Sequence, residues 1–320
     1  MEPTGSDLHA RGKGLLADAN AHPLDDTIVF VEETHRYFAK GPPTHWLPDE
    51  IKAPQLVPTV ASLEGDAADP APEDAFYRIS KSVSAIWADL FKKNEFDSEG
   101  TLNKYFDRWA KDPENKYHQL IQYMDLVGGL SPGESKAQIG LMWQRNGERA
   151  ADRGTHMHLQ FEMYHNNEPY DKALEELPQF EVFFKRDRPT CKPYRTEWSI
   201  MDRAAWIAGQ IDLLCKDSET GEFVMVDYKR AKNPMSPNMP NYSRFAMAPF
   251  SDVPDTQYHH YVMQQNFNAA ILKRNYDIEV KKMYLLQRYE DRPYELVEVP
   301  DMVDRASAHL DALAAVRRNF

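Results

Sequence analysis

The chain has 320 residues, with 38 Lys and Arg against 50 Asp and Glu for a net charge of −12, and 42% of its side chains are hydrophobic. This is the balance of a globular protein with ample material for a core, which excludes disorder throughout. No run of about 18 apolar residues occurs and the opening residues carry no apolar secretory stretch, so a soluble intracellular protein without a membrane partner is expected.

In chain order, residues 1–26 are polar and without period, and are expected to form a flexible leading segment. Residues 27–32 (TIVFVE) and 35–38 (HRYF) read as a hairpin, and 63–73 (LEGDAADPAPE) as a loop. Residues 82–93 place Val83, Ile86, Trp87, Leu90 and Phe91 at helical spacing behind a serine able to cap them. More helix is expected over 101–126, a long helix over 135–164 with glycines at 140, 147 and 154, and a short one over 172–185.

The pattern then changes to three strands, 194–201, 207–214 and 222–229, the last two joined by the polar turn 216–221. A proline-rich loop at 233–254 precedes a helix over 255–275, a strand over 281–287, a further strand over 294–299 and a final helix over 302–318. The expected organisation is a leader (1–26), a hairpin and helical region (27–133) and a main α/β region (134–320), with no internal repeat.

The chemistry concentrates in the strands. Alternation puts Met225, Asp227 and Lys229 on one face of their strand, so an apolar strand ends in a carboxylate and an ammonium side by side. Asp212 lies inside another apolar strand of the same hairpin, where a carboxylate is costly unless a cation or donor meets it. Converging carboxylates suit Mg²⁺ or Mn²⁺, with Lys229 placed to orient water or offset phosphate charge; an ordinary strand-end Asp–Lys pair satisfies the same pattern. On the long helix, Gly154, His158 and Glu162 share a face, and Gly147 and Gly154 would let that face approach the sheet; a lone histidine is also often structural.

Taken together, Gly-Thr-His-Met-His-Leu-Gln-Phe-Glu (154–162), Glu197, Gly-Gln-Ile-Asp (209–212) and Asp-Tyr-Lys (227–229) resemble the successive motifs of PD-(D/E)XK nucleases. The resemblance is to the RecB-like branch, which includes relatives of lambda exonuclease and of the mitochondrial genome-maintenance exonuclease, and it spans roughly residues 135–290. TIVFVEETHRYF and SVSAIWADLF are also similar to a viral and protist subgroup.

The resemblance implies an α/β fold with a restriction-endonuclease-like core, a mixed central β-sheet flanked by helices and a mostly helical N-terminal region. It further implies a Mg²⁺- or Mn²⁺-dependent deoxyribonuclease, of exonuclease type, acting on single-stranded DNA or duplex ends in repair, recombination or replication. In that pattern His158, Asp212, Asp227 and the carbonyl of Tyr228 hold the metal, and Lys229 is the catalytic lysine. Glu197, Gly154 and Thr155 fall on the substrate side; Arg230 and Lys232, basic residues clustered with Lys229 at the strand end, read either as substrate contacts on a phosphate path or as a solvated face.

A Q-x-x-x-Y motif of the family has two registers here. Gln257 with Tyr261 matches it literally, whereas Gln264 with Asn268 has the better distance to the next strand; Gln264 is the preferred catalytic glutamine. Several relatives hold an iron–sulfur cluster through four cysteines, and this chain has only Cys191 and Cys215, which excludes the cluster and leaves two thiols expected to be reduced. Zinc at His156, His259 and His260 lacks the usual spacing. Trp143, Trp198 and Trp206 read more readily as core than as base-stacking platforms. Lys273, Arg274, Lys281 and Lys282 form either a phosphate path or a solvated face. The competing functional readings are a catalytically silent nucleic-acid-binding module and an RNA nuclease.

Overall fold

The computed structural model describes residues 12–41, 76–79, 81–91, 96–289 and 292–318. They fall into two compact units: residues 93–157, and the chain before them together with the chain from His158 onward. The expected loop at 63–73 lies outside the described residues.

Residues 12–26, expected as a flexible leader, are instead fastened to the larger unit as far as they are described. Helix α1 (Leu15–Ala19) presents the Leu16 amide to Asn166, and Asn20 donates to the Tyr194 carbonyl. Next come β1 (Ile28–Val31) and β2 (Arg36–Lys40), the expected hairpin, extended by β3 (Phe76–Arg78) to an antiparallel sheet of three. Strand β4 (Lys81–Ser82) leads directly into α2 (Val83–Leu90), where the Ser82 hydroxyl accepts from the Ala85 amide as an N-cap.

The helical unit contains α3 (Ser98–Lys111), α4 (His118–Leu126) and most of α5 (Pro132–His165). The helix expected over 101–126 comes as two, because Pro113 removes a helical amide and restricts Asp112 before it. Ser131 and Glu134 satisfy each other's amides as a capping box at the start of α5. Leu102, Phe106, Ile121, Met124 and Ile139 form this unit's core, and Trp143 packs against it while donating to the Tyr117 hydroxyl at 2.8 Å.

The larger unit resumes with α6 (Leu177–Val182), which runs into one π-helical turn, and then builds its main sheet. Strands β5 (Cys191–Asp202), β6 (Ile207–Asp217) and β7 (Phe223–Arg230) are consecutive and antiparallel. Helix α7 (Gln257–Asn275) carries the chain to β8 (Val280–Arg288), parallel to β7, and β9 (Glu295–Glu298) closes the edge before α8 (Val303–Arg318). The path β4-β6-β7-β8-β9, with β5 beside β6, is a six-stranded mixed sheet flanked by helices, an α/β fold.

Helix α7 is the centre of the apolar core, with Val262, Met263, Phe267, Ala270 and Ile271 buried against α2, α8 and the sheet. Its buried amides are mostly partnered: Gln265 donates to the Tyr284 carbonyl, and Asn266 donates to Pro300 and accepts from Met302. Trp198 and Trp206 are core residues, 2% and 6% exposed. Both cysteines are free and buried, and burial together with the neighbouring Cys191 thiol pushes the Cys215 thiol upward. No helix among the described residues is long and apolar enough to cross a membrane.

Candidate metal centre

The site arises where two strands part. Strand β6 pairs with β7 only from Leu213↔Val226 to Lys216↔Phe223, so the next opposed positions, Asp212 and Asp227, stand at the mouth of a fork. On the other side β5 keeps the register Thr196↔Leu213 and Trp198↔Ile211, which sets Glu197 opposite Asp212. Three adjacent strands therefore present Glu197, Asp212 and Asp227 in one row, with exposures of 2%, 9% and 5%.

Glu197 occupies its place in an unusual conformation. Its φ is +42°, a region a non-glycine residue rarely adopts inside a strand and one that stores strain at functional sites. Gly12 lies against its carbonyl, where a Cβ would sit 2.6 Å from the Glu197 oxygen, and Gly12 itself has φ +71°. The Gly12 amide donates to Glu162 at 2.7 Å, so Glu162, one helical turn beyond His158, anchors the N-terminal segment.

His158 enters from α5. Its Nδ1 lies 3.0 Å from Glu197 Oε1 and 3.6 Å from Asp212 Oδ2, and its Nε2 lies 3.1 Å from the Tyr228 carbonyl oxygen. A carbonyl and a carboxylate only accept, so without a cation both contacts favour hydrogen on the ring nitrogens; as a ligand the imidazole would give up the proton on the nitrogen that faces the cation. Burial opposes the imidazolium charge, but the Asp212 and Glu197 carboxylates outweigh it and push the pKa up to about 9. Asp212 is further fixed by the Tyr228 amide, which donates to its Oδ2 at 2.8 Å.

Lys229 completes the group, with Nζ 2.7 Å from Asp227 Oδ2 and 4.6 Å from the centre of the Tyr261 ring. Burial raises the Asp227 carboxyl and Asp212 raises it further; Lys229 and His158 pull it down, leaving it up at about 6. The Lys229 ammonium is driven upward by Asp227 and Asp212 in spite of burial. The cluster thus demands positive charge, and among the described residues His158, Glu197 and Asp212 are the group whose ligand atoms lie within 4.8 Å of one another. One imidazole, two carboxylates and the adjacent Tyr228 carbonyl are a donor set that fits a hard divalent cation.

The sequence-predicted residues fall unevenly around this centre. His158, Asp212, Asp227, Tyr228 and Lys229 come together, and Glu197, expected on the substrate side, stands among the potential ligands. Gln264 lines a cavity that Asp212 also lines, Tyr261 carries Lys229, and exposed Gln257 donates to the Tyr261 hydroxyl, so both registers of the glutamine motif face one neighbourhood. Asn268, in the tyrosine position of the second register, donates to the Gln210 carbonyl, and its Oδ1 occupies the space a Cβ at Gly209 would need.

The remaining residues singled out in the sequence are placed as follows. Arg230, read as a substrate contact, lies on the strand face opposite Lys229 and pairs with Glu176 at 2.9 Å, its side chain only 13% exposed. Gly147 and Gly154 lie on the part of α5 that belongs to the helical unit. Thr155 and Lys232 are exposed. Lys273, Arg274 and Lys281 pair with Asp304, Asp202 and Glu279, which makes that region a charge-balanced face. His260 pairs with Asp255 and stacks on Trp87, and His259 meets the Thr256 hydroxyl.

Sequence reasoning missed the N-terminal contribution. Tyr37 from β2 is buried, and its hydroxyl is pushed upward by burial and by the Glu197 and Asp212 charges, which places the hairpin beside the carboxylates. Only the aromatic content of TIVFVEETHRYF hinted at it.

No family model matches the chain, and no curated protein matches it. Among solved structures, that of SSO0001 is 12% identical with a TM-score of 0.26, covering 70% of this chain and 86% of that one. That of a "Putative exonuclease" from Eubacterium rectale is 9% identical with a TM-score of 0.27, covering 71% and 70%. Likeness at this level leaves the functional reading to the residues themselves.

Proposed function

We propose that this protein is a Mg²⁺- or Mn²⁺-dependent deoxyribonuclease of the PD-(D/E)XK type that hydrolyses phosphodiester bonds, acting from strand ends. The observation that carries the reading is the row Glu197, Asp212 and Asp227 at a strand fork, joined by His158 and the Tyr228 carbonyl, with Lys229 alongside. His158, Glu197, Asp212 and the Tyr228 carbonyl would hold the cation, with Asp227 next in the row as the motif resemblance implies. A bound divalent cation there supplies Lewis acidity towards a phosphoryl oxygen and lowers the pKa of a bound water.

The remaining work falls to side chains of this chain. Lys229, charged and steadied between Asp227 and the Tyr261 ring, sets a fixed ammonium where negative charge grows on the phosphate. Because both of its neighbours are in place before substrate arrives, little reorganisation is needed when that charge develops. Gln264, lining a cavity with Asp212, offers an amide to the strand being cut.

The test is cleavage of end-labelled linear and circular DNA, single- and double-stranded, with Mg²⁺, Mn²⁺ or EDTA, beside Lys229→Ala. The proposal expects metal-dependent cutting of linear strands, sparing of circles, and a loss of at least about 100-fold in the variant, the scale of removing one electrostatic stabiliser. Folded protein that cuts no DNA with either metal, or cutting unchanged in Lys229→Ala, would refute it. Matched RNA strands in the same assay decide the sugar preference.

A further inference from the structure

Beside the carboxylates lies a cavity of about 280 Å³, lined on the hairpin side by Phe30 and Tyr37, whose ring centroids are 4.7 Å apart, and elsewhere by Gln210, Asp212, Gln264 and Asn268. One of its polar groups is unfinished. The Gln264 amide has no hydrogen-bond partner among the described residues, whereas the Asn268 Nδ2 is committed to the Gln210 carbonyl and its Oδ1 is packed on Gly209.

The lining also says what does not belong there. Its one carboxylate is Asp212 and it has neither lysine nor arginine; only His35 and the first turn of α2 at Ser82–Ser84 favour an anion, which leaves a phosphate weakly held beside a like charge. The volume is below the roughly 300–1,000 Å³ of pockets for drug-sized ligands, which suits one planar ring system and not a dinucleotide. Aromatic rings on one side and amides able to donate and accept in one plane are the groups that recognise a nucleobase by stacking and by its edge.

We infer that this cavity receives one unpaired nucleobase of the strand whose phosphate lies at Asp212 and its neighbours. The inference rests on the nuclease reading and narrows its substrate: a base enters only after leaving its partner, so the strand is single or frayed at the cut. Phe30 and Tyr37 supply the stacking surface, and the Gln264 amide reads the edge. These residues make the cavity a specificity element, separate from the groups that would hold the cation.

The test uses end-labelled single strands of one sequence, each with a single abasic residue at a successive position, cut by the full chain in Mn²⁺. The expected result is one position relative to the cut at which loss of the base slows cleavage of that bond by about tenfold or more, the scale of one stacked base. Phe30→Ala should slow the intact strand by a similar factor and the abasic strand no further; if that variant does not fold, Gln264→Leu replaces it, and the abasic series itself needs no variant. Equal cutting of every abasic strand overturns the inference while the nuclease stands. Failure to cut the intact strand in the same gel overturns both.

Discussion

Glu197 shows how a single residue can be held against its own backbone preference. A strand residue at φ +42° survives only where its surroundings over-determine it, and here Gly12 seals the carbonyl side while His158 grips the carboxylate. Gly12→Ala would need a Cβ where the Glu197 oxygen already sits, so the expected outcome is displacement of Glu197. DNA cleavage should fall about tenfold or more, the scale on which a misplacement of about 1 Å acts, while the thermal midpoint moves by only a few degrees. Equal activity in the variant would show that the glycine seal does not position the carboxylate. His165, two turns beyond His158, is a contrasting case. Buried among Tyr164, Phe180 and Phe184, it has its pKa driven down to about 3 by desolvation alone.

That depression carries a sign. An unfolded histidine titrates near 6.5, so between that value and about 3 the unfolded chain binds a proton that the folded chain refuses. The stability from neutral His165 is present above pH 6.5 and is lost as pH falls below it, by about 1.4 kcal/mol per pH unit. His165→Gln should flatten that part of the acid limb when unfolding by urea is followed between pH 6 and pH 4. An unchanged slope would mean that His165 is protonated in the folded protein.

At the scale of elements, the fork between β6 and β7 converts sequence alternation into a site. Alternation made Asp227 and Lys229 legible as a pair, and the hairpin made Asp212 legible as their neighbour, because strand periodicity is a local property. Glu197 was visible only as an acidic residue, since nothing local announces a left-handed backbone within a strand. Arg230 illustrates the same logic in reverse. It follows Lys229 in sequence, yet the pleat turns it to the other face, where Glu176 from the approach to α6 holds it at 2.9 Å. Arg230→Ala leaves Glu176, 5% exposed, without its charge partner, so a loss of about 3–5 kcal/mol in stability is expected by urea unfolding. DNA affinity per folded molecule should be unchanged. Weakened binding at unchanged stability would return Arg230 to the substrate side.

Over the whole molecule, the order of helices and strands was readable from local apolar patterning and turn signals, whereas the mixed sheet flanked by helices was expected from the motif resemblance. What was not readable is what depends on distant contacts. Residues 12–26 look featureless in sequence, yet Asp25 accepts from both Arg195 and Trp198 on β5, and a buried arginine, its side chain 3% exposed, finds its counter-charge 170 positions away. Strand β4 is two residues long and pairs with β6 across more than a hundred positions, beyond the reach of any window. Pro113 is a local signal that splits α3 from α4.

The central claim is that the carboxylate row and His158 form one divalent-cation site, and Mn²⁺ binding measured by electron paramagnetic resonance tests it most directly. Asp212→Asn is the informative variant, because its side-chain oxygen can still accept from the Tyr228 amide while the charge at the centre of the row is lost. The account predicts tight, saturable Mn²⁺ binding by the native protein and a loss of about tenfold or more in the variant, the scale on which changes at a metal site act, with the fold intact by circular dichroism. Absence of Mn²⁺ binding by folded native protein, or equal binding by Asp212→Asn, would contradict it.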